Sequence, residues 1–158
     1  LKVNDKLLYS LSHSANEAGA EWLQQQVGNR FEVVKWQVVE HSITHIDSTL
    51  LTLNENTCLV NASRVKDDDL PYFMKDYNKI WVDEVVAREF HQFPYASKWI
   101  GMNLLSLDPE TVLVDEIQVK LAEKLEANGF EVIATPMRHS RTLGGGFHCV
   151  TNDLERDK

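Results

Sequence analysis

The chain has 158 residues, of which 43% are hydrophobic and 25% are charged, a composition typical of a globular protein and far from that of disordered or collagen-like chains. Its net charge of -8 at pH 7 argues against a nucleic-acid partner, because phosphate backbones are bound by clustered Lys and Arg. The sequence contains neither a run of about twenty apolar residues nor a basic leader followed by an apolar run, so it predicts no membrane span and no signal peptide.

The first predicted unit is a strand, a helix and a second strand. The strand-like stretch KLLYSLS precedes an amphipathic helix whose apolar side is predicted to carry Ala18, Trp22, Leu23 and Val27. Gly28-Asn29 is a helix stop, and a strand beginning FEVV follows it.

A hairpin pattern then occurs twice. LLTLNENTCLV begins at Leu50 and LLSLDPETVLV begins at Leu104, and each consists of an apolar run, turn residues and a second apolar run. This pattern predicts two β-hairpins. After the first hairpin we expect a short helix over residues 70–77 and the strand KIWVDEV.

The second hairpin is followed by the stretch DEIQVKLAEKLEANGF, which has helical periodicity. Its apolar side is predicted to include Leu121, Leu125 and Val119, and Asn128-Gly129 ends it. The strand FEVIATPM comes next. The chain therefore reads as α/β, in one domain over residues 1–158, with three ββαβ-type modules instead of a doubly wound sheet.

Three segments carry polar residues that these elements do not require: HSITHIDSTLL, FPYASKWIGMNLL and RTLGGGFHCVT. The first two each run into one of the repeated hairpins, so they lie at equivalent points of their modules. Loops at strand ends often converge on a binding site in such architectures. We therefore expect functional residues in these three segments.

The third segment places Cys149 after three glycines. A thiolate is a strong nucleophile, and glycines allow a tight turn whose N–H groups favour negative charge. A cysteine is also commonly buried as a small apolar residue, and spacing alone leaves both interpretations open. Cys58, within the alternating stretch TCLVNA, is predicted to be buried. Two cysteines are too few for a disulfide framework and indicate a reducing compartment, which we take to be the cytoplasm.

The first segment places His45 two residues before Asp47. On an extended strand the two side chains would share a face, and the carboxylate could orient the imidazole for proton transfer. Such short matches also arise by chance. His148, if extended, would point away from Cys149. The sequence contains no Cys-x2-Cys pair, which argues against a zinc site.

Together, LGGGFHCVTND, THIDST and SKWIGMNLLSLD resemble the glycine and inosamine-phosphate amidinotransferases of the guanidine-modifying (pentein) superfamily. The resemblance runs from the EWLQQQ helix to the last residues, in the right order. It implies an α/β propeller of five modules, about three of which are visible here. It also implies transfer of the amidino group of arginine to an amine such as glycine or an amino-cyclitol, without a cofactor.

The resemblance also implies roles for individual residues. Cys149 matches the nucleophile that attacks the guanidinium carbon and carries the amidino group. His45 matches the general acid and base, and Asp47 matches a carboxylate that binds the guanidinium.

Four further residues are implied to contact the substrate. Arg64, in VNASR, falls where an arginine binds the substrate carboxylate, and Ser97, in ASKW, falls where a hydroxyl contacts the substrate. Gly145 and Gly146 would let the backbone approach the pocket.

Two features depart from the family pattern. The family uses five modules, and it carries a further catalytic aspartate in an FDAA-like stretch that is absent here. The chain thus resembles the carboxy-terminal part of an amidinotransferase, which we expect to be inactive alone. A cut ring would expose sheet edges and apolar faces and so favour self-association.

Two other functions are open to a chain of this kind. One is hydrolysis of arginine by the same thiolate, as in arginine deiminases, and the other is a non-catalytic pentein-type binding module. SKWIGMN and GGGFHC resemble the transferases more than the deiminases, and a binding module has no use for the Gly-Gly-Gly-Phe-His-Cys element.

Overall fold

A computed structural model describes residues 1–38, 45–86, 97–137 and 144–154. The chain divides into two compact units, Leu1–Trp81 and Val82–Lys158. The strands and α-helices of the described residues are β1 (Lys2–Val3), β2 (Lys6–Leu11), α1 (Glu17–Val27), β3 (Glu32–Gln37), β4 (Leu50–Thr52), β5 (Thr57–Asn61), β6 (Asn78–Val82), β7 (Leu105–Ser106), β8 (Thr111–Asp115), α2 (Val119–Glu126) and β9 (Glu131–Thr135).

The first sheet has the order β1-β2-β3. β1 and β2 are antiparallel and pair Val3 with Lys6, so Asn4 and Asp5 form the turn. Asn4 has a φ of 53°, in the left-handed region that Asn tolerates better than most residues. β2 and β3 are parallel, and α1 is the crossover between them. The sequence pattern predicts β2, α1 and β3, and these are confirmed, but it does not predict the β1–β2 hairpin.

Helix α1 faces its sheet with only part of the predicted side, because Leu23 and Val27 are half-buried whereas Ala18 and Trp22 are exposed. Ala20 is buried, and the side chain of Gln24 accepts from the backbone N–H of Val33 at 2.7 Å and donates to the carbonyl of Phe31 at 3.0 Å. These two bonds tie the helix to β3 through a polar residue, which a search for apolar periodicity passes over. Trp22 consequently lies on the outer side, 61% exposed.

The second sheet has the order β4-β5-β6, with β4 and β5 antiparallel as the first repeated hairpin predicts. The helix predicted over residues 70–77 is wrong, because only a 3-10 turn over Tyr72–Met74 forms there. Pro71 requires an extended residue before it, and Leu70 has a ψ of 147°. The short turn suffices to bury Met74 completely.

The first two sheets share one apolar core within the first unit. Its buried members are Val3, Leu8, Trp36, Val38, Leu50, Cys58, Val60, Val65, Leu70 and Met74. The indole Nε1 of Trp36, on β3, also donates to the carbonyl of Asp69 at 2.8 Å. The core and this bond connect the first module to the loop of the second.

The third sheet has the order β7-β8-β9, with β7 and β8 antiparallel and β8 and β9 parallel. α2 is the crossover, and it buries Leu121 and Leu125. Val119 is exposed, contrary to the prediction, because residues two apart on an α-helix point about 200° apart. The ββαβ-type module is thus confirmed in the first and third sheets, whereas the described residues of the second module lack an α-helix. Neither described helix has the length and apolar character needed to cross a bilayer.

Candidate active site

The residues predicted from the sequence divide between the two units. His45, Asp47 and Arg64 lie in the first unit, and Ser97, Gly145, Gly146 and Cys149 lie in the second. The beginnings of all three polar segments, residues 41–44, 93–96 and 141–143, lie outside the described residues.

His45 and Asp47 do not share a strand, so the same-face argument is wrong. His45 is exposed and has extended backbone angles, whereas Asp47 lies in a 3-10 helix over Ile46–Ser48 and is buried. The turn is closed by the N–H of Thr49, which donates to the carbonyl of Ile46 at 2.8 Å. The chain therefore bends between the imidazole and the carboxylate.

Asn61, the last residue of β5, holds this turn in place. It is fully buried, and its Nδ2 donates to the carbonyl of Ser48 at 3.1 Å. Its Oδ1 accepts from the backbone N–H and the hydroxyl of Ser63, at 3.0 and 2.7 Å. Asn61 was not among the predicted site residues. Its signal in the sequence is a polar residue directly after the apolar run Cys58–Val60.

Arg64 contacts the same turn. Its Nη1 lies 3.2 Å from the carbonyl of Ser48, 3.0 Å from the Ser48 hydroxyl and 2.9 Å from the Thr49 hydroxyl. A guanidinium offers five N–H donors in a fixed plane, and these contacts use its Nη1. Arg64 therefore anchors the turn that contains Asp47, whatever else it binds.

Cys149 is exposed, so it is not a buried core residue. The segment around it is a series of turns over residues 147–150, not the strand that the sequence suggested. The N–H of Val150 donates to the carbonyl of Gly146 at 3.2 Å. Because the backbone turns here, the expectation that His148 points away from Cys149 loses its basis.

The residue that contacts Cys149 most closely, among those described, is one that the sequence analysis did not select. Asn103 lies at the end of the segment SKWIGMN, and its side-chain Oδ1 accepts from the backbone N–H of Cys149 at 3.0 Å. Its Nδ2 donates to the Cys149 sulfur, Sγ, at 3.1 Å. Two of the three polar segments thus meet within the second unit.

The two predicted glycines lie against these residues. A Cβ on Gly146 would come within 2.6 Å of the Asn103 side chain and 2.7 Å of its carbonyl oxygen, so the close approach requires glycine. A Cβ on Gly145 would lie 3.2 Å from the Cβ of Cys149. Gly144 has a φ of 89°, which also favours glycine.

Ser97 caps the 3-10 helix over Lys98–Met102. Its hydroxyl oxygen accepts from the backbone N–H of Trp99 at 3.2 Å, and the residue is exposed. This bond uses the oxygen as an acceptor and leaves the hydroxyl proton able to donate. Ser97 and Asn103 therefore bracket one short helix.

Cys58 is the opposite of Cys149. It is fully buried on β5, as predicted, and burial raises the pKa of its thiol to about 12, while Lys79 acts weakly in the other direction. It remains a neutral thiol at physiological pH and is a matched internal reference for Cys149. The described residues contain no group of three or more His, Cys, Asp or Glu side chains that could hold a metal ion.

Known proteins resemble the chain along its whole length. Inosamine-phosphate amidinotransferase 1 of Streptomyces glaucescens is 41% identical over 157 residues, which make up 99% of this chain and 45% of that protein. The solved inosamine-phosphate amidinotransferase of Streptomyces griseus matches 100% of this chain and 45% of that chain, with a TM-score of 0.92 and 40% identity. This chain is a homologue of amidinotransferases. The mitochondrial glycine amidinotransferase of Gallus gallus is 28% identical over 99% of this chain and 37% of that protein.

The resemblance to amidinotransferases inferred from the three motifs is therefore confirmed, and the chain spans about 45% of the length of the inosamine-phosphate relatives it matches. A dimethylarginine dimethylaminohydrolase shares the fold at a TM-score of 0.69 and 18% identity, over 94% of this chain and 53% of that chain. These neighbours confirm the predicted α/β, pentein-type fold. The five-module ring stays a prediction. No family model matches the chain.

Proposed function

We propose that this chain is part of an amidinotransferase and supplies the thiol that carries the amidino group from arginine to an acceptor amine. The observation that carries the proposal is the exposed Cys149 on its glycine-rich turn, with a buried amide donating to its sulfur. The identity of 41% to an inosamine-phosphate amidinotransferase supports the reaction class. The proposal places the protein in a reducing compartment, the cytoplasm, where a thiol persists.

The reaction proceeds through two half-reactions. The Cys149 thiolate attacks the guanidinium carbon of arginine, a C–S bond forms, the C–N bond to the side chain of arginine breaks, and ornithine leaves after its amine takes up a proton. An acceptor amine then attacks the same carbon, the C–S bond breaks, and the thiolate is restored. Splitting the transfer in this way lets one amine replace another.

Acid–base and binding roles fall to the other predicted residues. His45 protonates the departing amine and deprotonates the incoming one, and Asp47 binds the guanidinium. Arg64 and Ser97 contact the rest of the substrate. A guanidinium is a delocalised cation of low electrophilicity, so its carbon must be held close to the thiolate for attack.

The acceptor is an amine of the amino-cyclitol or glycine type. Because the Streptomyces glaucescens relative is 41% identical and the Gallus gallus relative 28%, an inosamine phosphate is the acceptor to test first. We also propose that the chain self-associates, which sedimentation velocity of the purified protein measures.

The test is to incubate the complete gene product with arginine labelled in its guanidino group, stop the reaction with acid, and locate the label by peptide mass spectrometry. We expect a labelled amidino group on Cys149, none in Cys149→Ser, and an unchanged adduct in the matched control Cys58→Ser. The adduct should pass to an added inosamine phosphate or glycine. Release as citrulline alone would show a hydrolase instead, and a folded protein without adduct would refute the covalent mechanism. The 158-residue chain alone should show no turnover.

A further inference from the structure

We propose that Asn103 is a positioning residue for Cys149, which fixes the backbone at the cysteine and stabilises its thiolate with one side-chain amide. The inference deepens the proposed function and rests on Cys149 being the nucleophile. It starts from a feature that the sequence motifs did not single out: a nearly completely buried amide whose two ends both contact one exposed residue.

The contacts determine which way the amide of Asn103 points. The backbone N–H of Cys149 can only donate, so the atom 3.0 Å from it must be the carbonyl oxygen Oδ1. The NH2 group therefore faces the sulfur, 3.1 Å away, and it can only donate. Turning the amide over would set two donors against each other at the backbone. The backbone bond thus identifies Nδ2 as the donor to Sγ, and this assignment holds for the thiol and for the thiolate alike.

Asn103 is held rigidly enough to do this. Its side chain is buried, with the residue 2% exposed, and its backbone N–H donates to the carbonyl of Ile100 at 2.9 Å. Its own carbonyl accepts from the N–H of His148 at 3.4 Å. Gly146 contacts both the side chain and the carbonyl, at a distance that admits no Cβ. The contact with Asn103 is therefore the reason that residue 146 must be glycine.

The chemical consequence concerns the charged form of the thiol. A thiolate is a stronger hydrogen-bond acceptor than a thiol, so a fixed N–H donor at the sulfur favours ionisation. The same bond limits rotation of the side chain and keeps the sulfur aimed in one direction. Besides Cys149, the described titratable side chains on the two segments are Lys98 and His148, and Asp153 follows the second segment; all three are unchanged in the variants below.

The test measures alkylation of Cys149 by iodoacetamide as a function of pH, by peptide mass, in the 158-residue chain with Cys58→Ser as the background. Asn103→Asp keeps an oxygen for the Cys149 N–H but, when ionised, removes the donor to the sulfur. We expect its alkylation midpoint to rise by about one pH unit or more and its rate at pH 7 to fall about tenfold. Asn103→Leu, which removes both bonds, should also raise the midpoint.

Asn61→Asp is the matched control. It makes the same exchange at a second buried asparagine, one that contacts Ser48 instead of Cys149. It should lower the unfolding temperature and leave the Cys149 midpoint unchanged. The negative charge of Asn103→Asp raises the midpoint by itself, so the uncharged Asn103→Leu decides between the roles. A purely structural role for Asn103 would lower the unfolding temperature of Asn103→Leu but would leave its midpoint where it is. Superimposable pH profiles for Asn103→Leu and the unmutated chain would overturn the proposal.

A second measurement needs no substitution at Asn103. In the chain labelled with 15N-asparagine, one side-chain amide should shift with pH at the alkylation midpoint, and the shift should vanish in Cys149→Ala. If no amide follows the thiol, the proposal fails even where Asn103→Leu does not fold.

These outcomes separate the inference from the proposed function, because arginine is absent from them. An amidino adduct on Cys149 together with an unmoved midpoint in Asn103→Leu refutes the positioning role alone. A shifted midpoint without any adduct from arginine refutes the proposed function and leaves Asn103 as the residue that positions the thiol.

Discussion

The second and third modules make the same turn after the second strand of their hairpins, but the side chains at one position of this turn differ in type and in their partners. The N–H of Arg64 donates to the carbonyl of Asn61 at 3.1 Å, and the N–H of Gln118 donates to that of Asp115 at 2.8 Å. Arg64 and Gln118 are separated by the same offset that separates Leu50 from Leu104. They therefore hold one position in two copies of a repeat.

Arg64 bonds to the residues directly before its hairpin, whereas Gln118 bonds to Val86, which lies farther back in the chain. Nη1 of Arg64 contacts Ser48 and Thr49, while Gln118 accepts from the N–H of Val86 at 2.8 Å and donates to its carbonyl at 2.6 Å. The side chains at this one repeat position therefore hold different parts of their modules, one with a charged group and the other with a neutral amide. What the second module adds at this position is a cation beside the turn that contains Asp47.

The largest expected effect comes from the apolar residues that open the two hairpins. Leu50 and Leu104 are almost completely buried, so Leu50→Ala and Leu104→Ala should each lower the free energy of unfolding by about 3 kcal/mol. Denaturant unfolding of both variants checks this. If one substitution were nearly neutral, the two leucines would not contribute equally to the stability of their own units.

A smaller difference should separate the two anchors. Gln118→Leu removes two bonds to a backbone from a buried position and should cost about 2–3 kcal/mol. Arg64→Leu should cost about 1–2 kcal/mol, because Nδ2 of Asn61 still donates to the Ser48 carbonyl. Thermal unfolding measures both, with Arg64→Gln as the variant that puts the third module's residue into the second. A larger loss for Arg64→Leu would mean that its charge has a structural role.

The smallest effect is a pH dependence of stability that only the β7–β8 hairpin should show. In the β4–β5 hairpin Oδ1 of Asn54 accepts from the N–H of Asn56, and in the β7–β8 hairpin Asp108 holds the same place. Hydrogen bonds from the backbone of Glu110, and then from Thr111, keep the pKa of Asp108 below its usual value. A carboxyl with a lowered folded pKa stabilises the protein above its unfolded pKa, and this stabilisation is lost as the pH falls through the folded pKa.

Asp108→Asn should therefore flatten the acid side of the stability curve, below about pH 4. The unfolding temperature of the unmutated chain should fall more steeply there than that of the variant. Because Asp108 is exposed at the surface, the difference should be small. Equal slopes would show that the turn is held equally well by the protonated acid.

The parts of the fold that could be predicted from sequence are those fixed by neighbouring residues. The hairpins after Leu50 and Leu104 follow from apolar runs around turn residues, and both helices follow from their periodicity and their stops. The β1–β2 hairpin escaped because its strands are short and its turn is the single pair Asn4-Asp5. Trp22 was misassigned because Gln24, a polar residue, faces the sheet.

The candidate site was predicted by resemblance, and its local geometry was not. The 3-10 helix at Asp47 is held by Asn61, 13 residues from Ser48, and the turn at Cys149 is held by Asn103, 46 residues away. Hydrogen bonds over such separations leave no periodic trace in the sequence. The motif SKWIGMN nevertheless contained Asn103, so a polar residue directly after the largely apolar residues 99–102 was the available signal.

The bond from the Trp36 indole to the Asp69 carbonyl has a consequence for how the first unit unfolds. A loss of the first module would expose this carbonyl and one side of the shared core to water, so the two modules should melt in one cooperative transition. Trp99, in the second unit, is as buried as Trp36. In a chain with Trp81→Phe and Trp99→Phe, the red shift of Trp36 fluorescence on unfolding would report on both sheets of the first unit at once.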